Sequence, residues 1–292
     1  MMKKMIGTVL VLAMVFGLAA CGGGEETDGG QKPSMISVVS REEGSGTRGA
    51  FIELVGIEEK DAEGNKIDKT SEMAEISNST SVVLATVMGN KRAIGYISLG
   101  SMNDDIKALA IDGAAATVDN IKSGTYSIAR PFHLATLGAA SPAVADFLAF
   151  AMSAQGQAVV EENGYISAGA GSDYQASGAA GKVRIAGSSS VTPVMEKIKE
   201  AYVALNPSAD IQIQQSDSTT GMTSAIEGIC DIGMASRNLK DSELEAGLEP
   251  LVMAMDGIAV IVNLENPVNG MTLEQVKSVF IGETTDWNEI GE

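Results

Sequence analysis

Three times in this chain a strand-like apolar run breaks into a short loop of serine, threonine and glycine and re-emerges as a helix. The loops are EGSGTR at 43–48, GSSSVTP at 187–193 and SDSTTG at 216–221. Short apolar strands alternating with amphipathic helices describe an α/β protein, its helices laid over a sheet. The junctions constrain chemistry as well. A helix start exposes backbone N–H groups and the positive end of the helix dipole, so a hydroxyl-rich start is a seat for an oxygen anion. Taken singly, each loop is better explained by a serine or threonine capping its own helix. Three in one chain offer what a tetrahedral oxyanion needs, which is donors from several directions.

The strand–helix rhythm runs from Ile36 onward. Strands are expected at 36–40, 93–99, 107–111, 183–186, 211–215, 231–235 and 257–263, and helices at 81–88, 117–123, 142–164, 194–205 and 272–280. Residues 167–181 (SAGAGSDYQASGAAG) are small, polar and without period, a linker by composition. The acid-rich stretch 58–69 reads as a solvated loop. Tyr96 and Trp287 read as packing residues, and Ser236, after the 231–235 strand, as a helix cap.

The first residues set the compartment. Lys3 and Lys4 precede an apolar core from Ile6 to Phe16 and the small-residue run Leu18-Ala19-Ala20, followed by Cys21. That is a signal peptide over 1–20, and its apolar run falls short of the ~20 residues that span a bilayer. Cys21 placed there resembles the bacterial lipobox, which implies lipidation and an anchored, extracytoplasmic protein. Residues 21–34, glycine- and acid-rich, read as a flexible tether. Loss of Lys3 and Lys4 with the leader takes the net charge from −18 to −20. Such a balance argues against nucleic acid and against adhesion to anionic lipid. Beyond Cys21 the one cysteine is Cys230, so no intrachain disulfide is available, and a single histidine, His133, leaves no transition-metal constellation.

SREEGSGTRGAF, AIGYISLGS, GSSSVTPVMEK, DSTTGMTSAIEGICDIGMASR and DGIAVIVN together resemble the phosphate-binding lipoproteins of bacterial phosphate ABC importers. The resemblance implies a type II-like periplasmic-binding-protein fold, two α/β lobes closing over inorganic phosphate at a hinge cleft, with no cofactor and no catalysis. It implies phosphate contacts from Arg41, Ser45, Gly46 and Thr47 on one lobe and from Ser189, Ser190 and Ser218 on the other. Glu43 matches an acidic position that braces the arginine. Arg48 is not among the family's ligands and reads as a solvated helix residue. The family often places aspartate after the A-S of the third strand, to accept the proton of hydrogen phosphate; here that place is Arg237. Asp217, Asp256 and Ser236 are the remaining supporting candidates, and Arg237 either adds positive charge to the cleft or lies outside it.

The segments resemble the family in a different order. DWNEIG ends this chain, whereas in the family it leads into the segment matching SREEGSGTR, so the chain reads as a circular permutation. Lobes are then expected at 35–126 plus 264–292 and at 131–258, the latter containing the linker, with hinge crossings near 127–130 and 258–263. Expected partners are inorganic phosphate and the permease subunits of an importer, with the protein itself a monomer. Capture of another tetrahedral oxyanion (sulfate or molybdate) is the alternative. A phosphate-ester hydrolase stands lower, because a serine nucleophile needs an adjacent base and His133 belongs to no recognisable dyad.

Overall fold

The computed structural model describes residues 34–169 and 171–290. The signal peptide, Cys21 and nearly all of the tether lie outside them.

A ten-stranded mixed sheet organises the chain. Its central member is the 16-residue strand Leu248–Asn263. The first part of that strand pairs antiparallel with Ala129–Leu137, from Leu248↔Leu137 to Gly257↔Ala129. Its second part pairs antiparallel with Ala93–Ser98, from Ile258↔Ser98 to Val262↔Ile94. On one side the sheet continues through Ile232–Ala235, Gly181–Ser188 and Ala209–Ser216, on the other through Ser37–Arg41 and Glu75–Ser77. One strand therefore belongs to two halves.

The apolar residues divide accordingly. Phe51, Tyr96, Val260, Phe280 and Trp287 share one core with residues from 50–128 and 258–290. Phe132, Phe147, Val183, Met195 and Tyr202 share another, drawn from 132–254. Along the long strand, membership changes between Ala254 and Ile258. Phe51 stacks on Tyr96 at 4.0 Å between ring centroids and meets Phe280 edge-on. A fully buried aromatic of this kind is worth about 3–5 kcal/mol against alanine. The arrangement is a mixed α/β fold with two cores on one shared sheet, and in such sheets ligands sit at the carboxyl ends of the parallel strands.

Several expected elements differ, each for a local reason. The helix expected over 142–164 is two, Pro142–Ala151 and Ala154–Glu162. Ser153 caps the second while its hydroxyl donates to the Phe150 carbonyl, and a Cβ at Gly156 would stand 2.1 Å from that same carbonyl oxygen. The strand expected over 107–111 changes partner midway: Ile106–Ala108 pairs with the long strand and Ala110–Ile111 with Gly270–Met271. Part of the acid-rich 58–69 stretch is a hairpin, Glu58–Lys60 against Lys66–Asp68. The 167–181 linker is tied down by Tyr174, whose hydroxyl donates to Asp146 and accepts from Asn206. Trp287 is fully buried, as expected of a packing residue.

Candidate functional site

Arg41 ends the strand Ser37–Arg41, and the chain turns at once through Glu42–Ser45, closed by Ser45 N–H to the Glu42 carbonyl at 3.0 Å. That turn delivers the helix Gly46–Val55, with Ser45 as its N-cap. The strand end is fixed from behind: the Tyr96 hydroxyl accepts from the Arg41 backbone N–H at 3.1 Å and bonds the Ser40 hydroxyl at 2.8 Å. Burial, set against those bonds, pushes the Tyr96 phenol above its usual range.

The Arg41 guanidinium is 2 % exposed and held in a bidentate pair by Glu42, at 2.8 and 2.7 Å. Glu43, expected to brace it, is exposed at the corner of the turn. The turn points that side chain to solvent, so the neighbouring glutamate takes the role. Arg48 also departs from its expected solvated place. Its Nη1 donates to the Arg41 carbonyl at 2.7 Å and its Nε to Asp68 at 2.8 Å, clamping the turn from outside.

From the other half come three strand ends. Gly181–Ser188 leads through Ser189 and Ser190 into the helix Thr192–Leu205. Ala209–Ser216 leads into Ser218–Ile226, capped by Asp217. Ile232–Ala235 ends at Ser236, which starts no helix; its hydroxyl instead accepts from Ser188 at 2.9 Å, and its N–H donates to the Ser218 hydroxyl at 3.1 Å. The cap expected at Ser236 is therefore a knot tying three loops together.

The two halves meet through these groups. Arg41 Nη2 donates to the Ser189 hydroxyl at 3.1 Å, and the Thr47 and Ser190 hydroxyls are 2.8 Å apart. A Cβ on Gly46 would stand 2.4 Å from the Ser218 hydroxyl and 2.8 Å from that of Ser236. Only glycine permits this approach. Gly44 is similarly close to Asp217, and its carbonyl accepts from the Thr219 N–H at 3.2 Å. Arg41, Gly46, Thr47, Ser189, Ser190 and Ser218 thus converge on one buried, hydroxyl-rich contact between the halves, with Ser45 buried next to Gly46 as the cap of its own helix.

Thr80 was missing from the expected set. It opens the helix Thr80–Gly89 after the cap Ser79, is 4 % exposed, and bonds Ser190 at 3.2 Å and Arg41 Nη1 at 3.4 Å. The signal was present in SNSTS at 77–81, a fourth hydroxyl-rich helix start of the same kind as the other three.

Arg237 is mostly buried and doubly bonded to Glu243, at 2.9 and 2.7 Å. Burial alone would push the Glu243 carboxyl up; the hydrogen bonds and charge of Arg237, with the Lys240 N–H, hold it below its usual range. The charge at this corner is therefore matched inside the protein. Asp217 caps the helix of Ser218 through Thr220 N–H at 2.9 Å, and Asp256 pairs with Arg130 at 3.1 Å. None of the three acts as a spare acceptor in this arrangement. His133 bonds the Arg237 carbonyl at 3.0 Å through Nδ1, and burial lowers its basicity. Among the described residues no serine hydroxyl bonds its ring, and no group of three or more His, Cys, Asp or Glu could share a metal ion. A cavity of about 520 Å³ opens one helical turn from Gly46, between Gly49, Ala50 and Glu53 on one side and Arg237, Leu239 and Lys240 on the other.

The family model described as PBP superfamily domain matches residues 27–155 and 172–292. The phosphate-binding protein PstS 2 of Streptococcus agalactiae serotype V is 52% identical over 99% of both chains. Its namesake from Streptococcus pneumoniae serotype 4 is 42% identical, again over 99% of both. A crystal structure titled as a phosphate ABC transporter, phosphate-binding protein, from S. pneumoniae TIGR4 shares 43% identity. It covers 88% of this chain and 100% of its own, with a TM-score of 0.70. By these matches the chain belongs to the PBP superfamily, in the group of the phosphate-binding PstS proteins.

Proposed function

We propose that this protein captures inorganic phosphate between its two halves and delivers it to the permease subunits of an ABC importer, without catalysis. The observation that carries the reading is the bond of Arg41 to Ser189 beside that of Thr47 to Ser190, which joins donors of the two halves at one buried point. An oxyanion held there would exchange these mutual bonds for charge-assisted ones, which are about twice as strong. Its relatives are named for phosphate binding, and one is titled as part of a phosphate ABC transporter. Lipid attachment at Cys21 and an extracytoplasmic location complete the proposal, resting on the lipobox-like leader.

The halves are proposed to be the lobes 35–126 plus 264–292 and 131–258, the chain order a circular permutation. The meeting of the two ends supports it. Trp287 N–H donates to the Ser34 carbonyl at 2.8 Å, Ile36 N–H to the Thr285 carbonyl at 2.8 Å, and Met35 bridges Asp286. Adjacent ends are the condition under which rearranged chains keep their fold.

One observation favours a broader selectivity. Arg237 stands where the family resemblance implies an acid, and its charge is taken by Glu243. Among the described residues the nearby carboxylates Glu42, Glu243, Asp217 and Asp256 are each engaged within the protein, which leaves none dedicated to refusing an anion that lacks a proton. Sulfate and molybdate should compete more than in a site with a dedicated acceptor. Calorimetry with phosphate, sulfate and molybdate at several pH values tests both readings. Phosphate heat abolished by Arg41→Ala is expected; no phosphate heat, or heat indifferent to Arg41→Ala, would reject the site. Turnover of a chromogenic phosphate ester that Ser45→Ala abolishes would instead favour a hydrolase.

A further inference from the structure

A second buried guanidinium stands at the same crossing. Arg130 opens the strand Ala129–Leu137, three residues before His133, which pairs with Ala235, the residue before Ser236. On its other side it pairs with Asp256 in the long strand, between the two cores. Its side chain is 2 % exposed and makes one ion pair, Nη2 to Asp256 Oδ2 at 3.1 Å. Its Nε and Nη1 are buried and meet no acceptor among the described residues.

Arginine carries five N–H donors and no acceptor, and a buried cationic donor without a partner is costly. Asp256 does not take up the surplus: one of its oxygens accepts from Arg130 Nη2 and the other from the Ser98 hydroxyl at 2.8 Å, leaving Nε and Nη1 unmet. Ser98 is two residues beyond Tyr96, whose hydroxyl holds the Arg41 backbone, so this network abuts the end of the Arg41 strand. The groups facing Arg130 are the Phe132 ring, 5.4 Å from its Cζ, together with Asp256, Tyr165 and Arg41. Burial lowers the affinity of Arg130 for its proton; Asp256 opposes that and Arg41 adds to it. Arg130 lines the cavity of about 520 Å³ with Gly49, Ala50 and Arg237, one helical turn from Gly46, so a second buried arginine tethered to one carboxylate borders the meeting of the halves. Structural economy does not explain spare donors there, whereas an anion between them does.

We infer that Arg130 is a second cationic contact of the bound anion, donating from Nε or Nη1, with Asp256 holding it in place as Glu42 holds Arg41. The inference rests on the phosphate reading and deepens it. Anion charge is then shared between a guanidinium from each side of the crossing, so closure of the halves and capture of the anion become one event.

Two variants test it in the full-length chain. Arg130→Lys keeps a cation for Asp256 and replaces the planar fork of Nε and Nη1 by a single point of charge. The double variant Arg130→Gln/Asp256→Asn removes both charges together, so that neither is left buried and unpaired. The readouts are phosphate Kd by calorimetry and thermal midpoint with and without phosphate. Both variants are expected to raise Kd tenfold or more and to shrink the upward shift of the midpoint that phosphate produces. A wild-type Kd and a full phosphate-induced shift in both variants, with only the phosphate-free midpoint lowered, would make Arg130 a hinge brace and overturn the inference. In that outcome Arg41→Ala would still abolish binding, leaving the phosphate reading intact. A wild-type chain that binds no phosphate would overturn both.

Discussion

Ser45 and Ser190 occupy matching places in the sequence pattern, yet the two halves of the molecule use them differently. In the half of Arg41 the two helix starts that reach the contact are capped by serine itself. Ser45 accepts from Arg48 N–H and Ser79 from Val82 N–H, both at 3.3 Å. At the two helix starts of the other half that reach this contact, the caps are other residues. Val191 heads the helix Thr192–Leu205 with no side-chain cap bond, and Asp217 caps Ser218–Ile226. That frees Ser189 and Ser190 to reach across, to Arg41, Thr47 and Thr80. A hydroxyl-rich helix start is thus ambiguous until its cap is known. Where serine is the cap, the hydroxyl supports its own helix; where another residue caps, the serines beside it are available to a ligand.

This contrast can be broken or sharpened in order of effect. Arg41→Ala should weaken phosphate binding at least a hundredfold in calorimetry, since it removes a guanidinium that bonds Ser189 across the halves. A change below threefold would mean that the serines capture the anion alone. Gly46→Ala should come next, with a tenfold or greater loss. Its Cβ would meet the Ser218 hydroxyl at 2.4 Å, and adding Ser218→Ala should recover part of the affinity. Binding unchanged in Gly46→Ala would show that the halves need not approach so closely.

The direct comparison is Ser45→Ala against Ser190→Ala. Loss of the Ser45 cap should cost about 1 kcal/mol of stability. Ser190→Ala should leave stability within about 0.5 kcal/mol, because among the described residues its hydroxyl bonds only Thr47 and Thr80, while weakening phosphate several-fold. Chemical denaturation beside calorimetry checks both, and a reversed pattern would defeat the contrast. The smallest effect is acid sensitivity at Glu243. Its carboxyl is held below the usual range in the folded protein, so the stability it contributes is present above about pH 4.3 and lost as pH falls further. Glu243→Gln should therefore flatten the acid limb of the stability profile below that pH, and an unchanged limb would show that Arg237 gains nothing from the charge.

Much of this was legible in the residues. Strand–loop–helix periodicity carried the fold class, because apolar alternation and helix starts are local properties. The convergence of Arg41, Thr47, Ser189 and Ser190 could be expected from loop chemistry joined to a family resemblance. What escaped depended on direction and partner. EE at 42–43 does not say which glutamate turns inward; the turn over Glu42–Ser45 decides it. Arg237 could not be placed because Glu243, six residues on, is the group that takes its charge. The 142–164 helix breaks through one serine hydroxyl and a crowded glycine, which apolar spacing does not register. Thr80 was readable, and its loop carries the same signature as the three that were chosen.

A crystal structure grown with phosphate would test the meeting of the halves most directly. The expected result is one tetrahedral anion within hydrogen-bonding distance of Arg41 and Thr47 from one half and of Ser189 or Ser190 from the other. An anion touching residues of one half only, with Arg41 still turned onto Ser189, would contradict it.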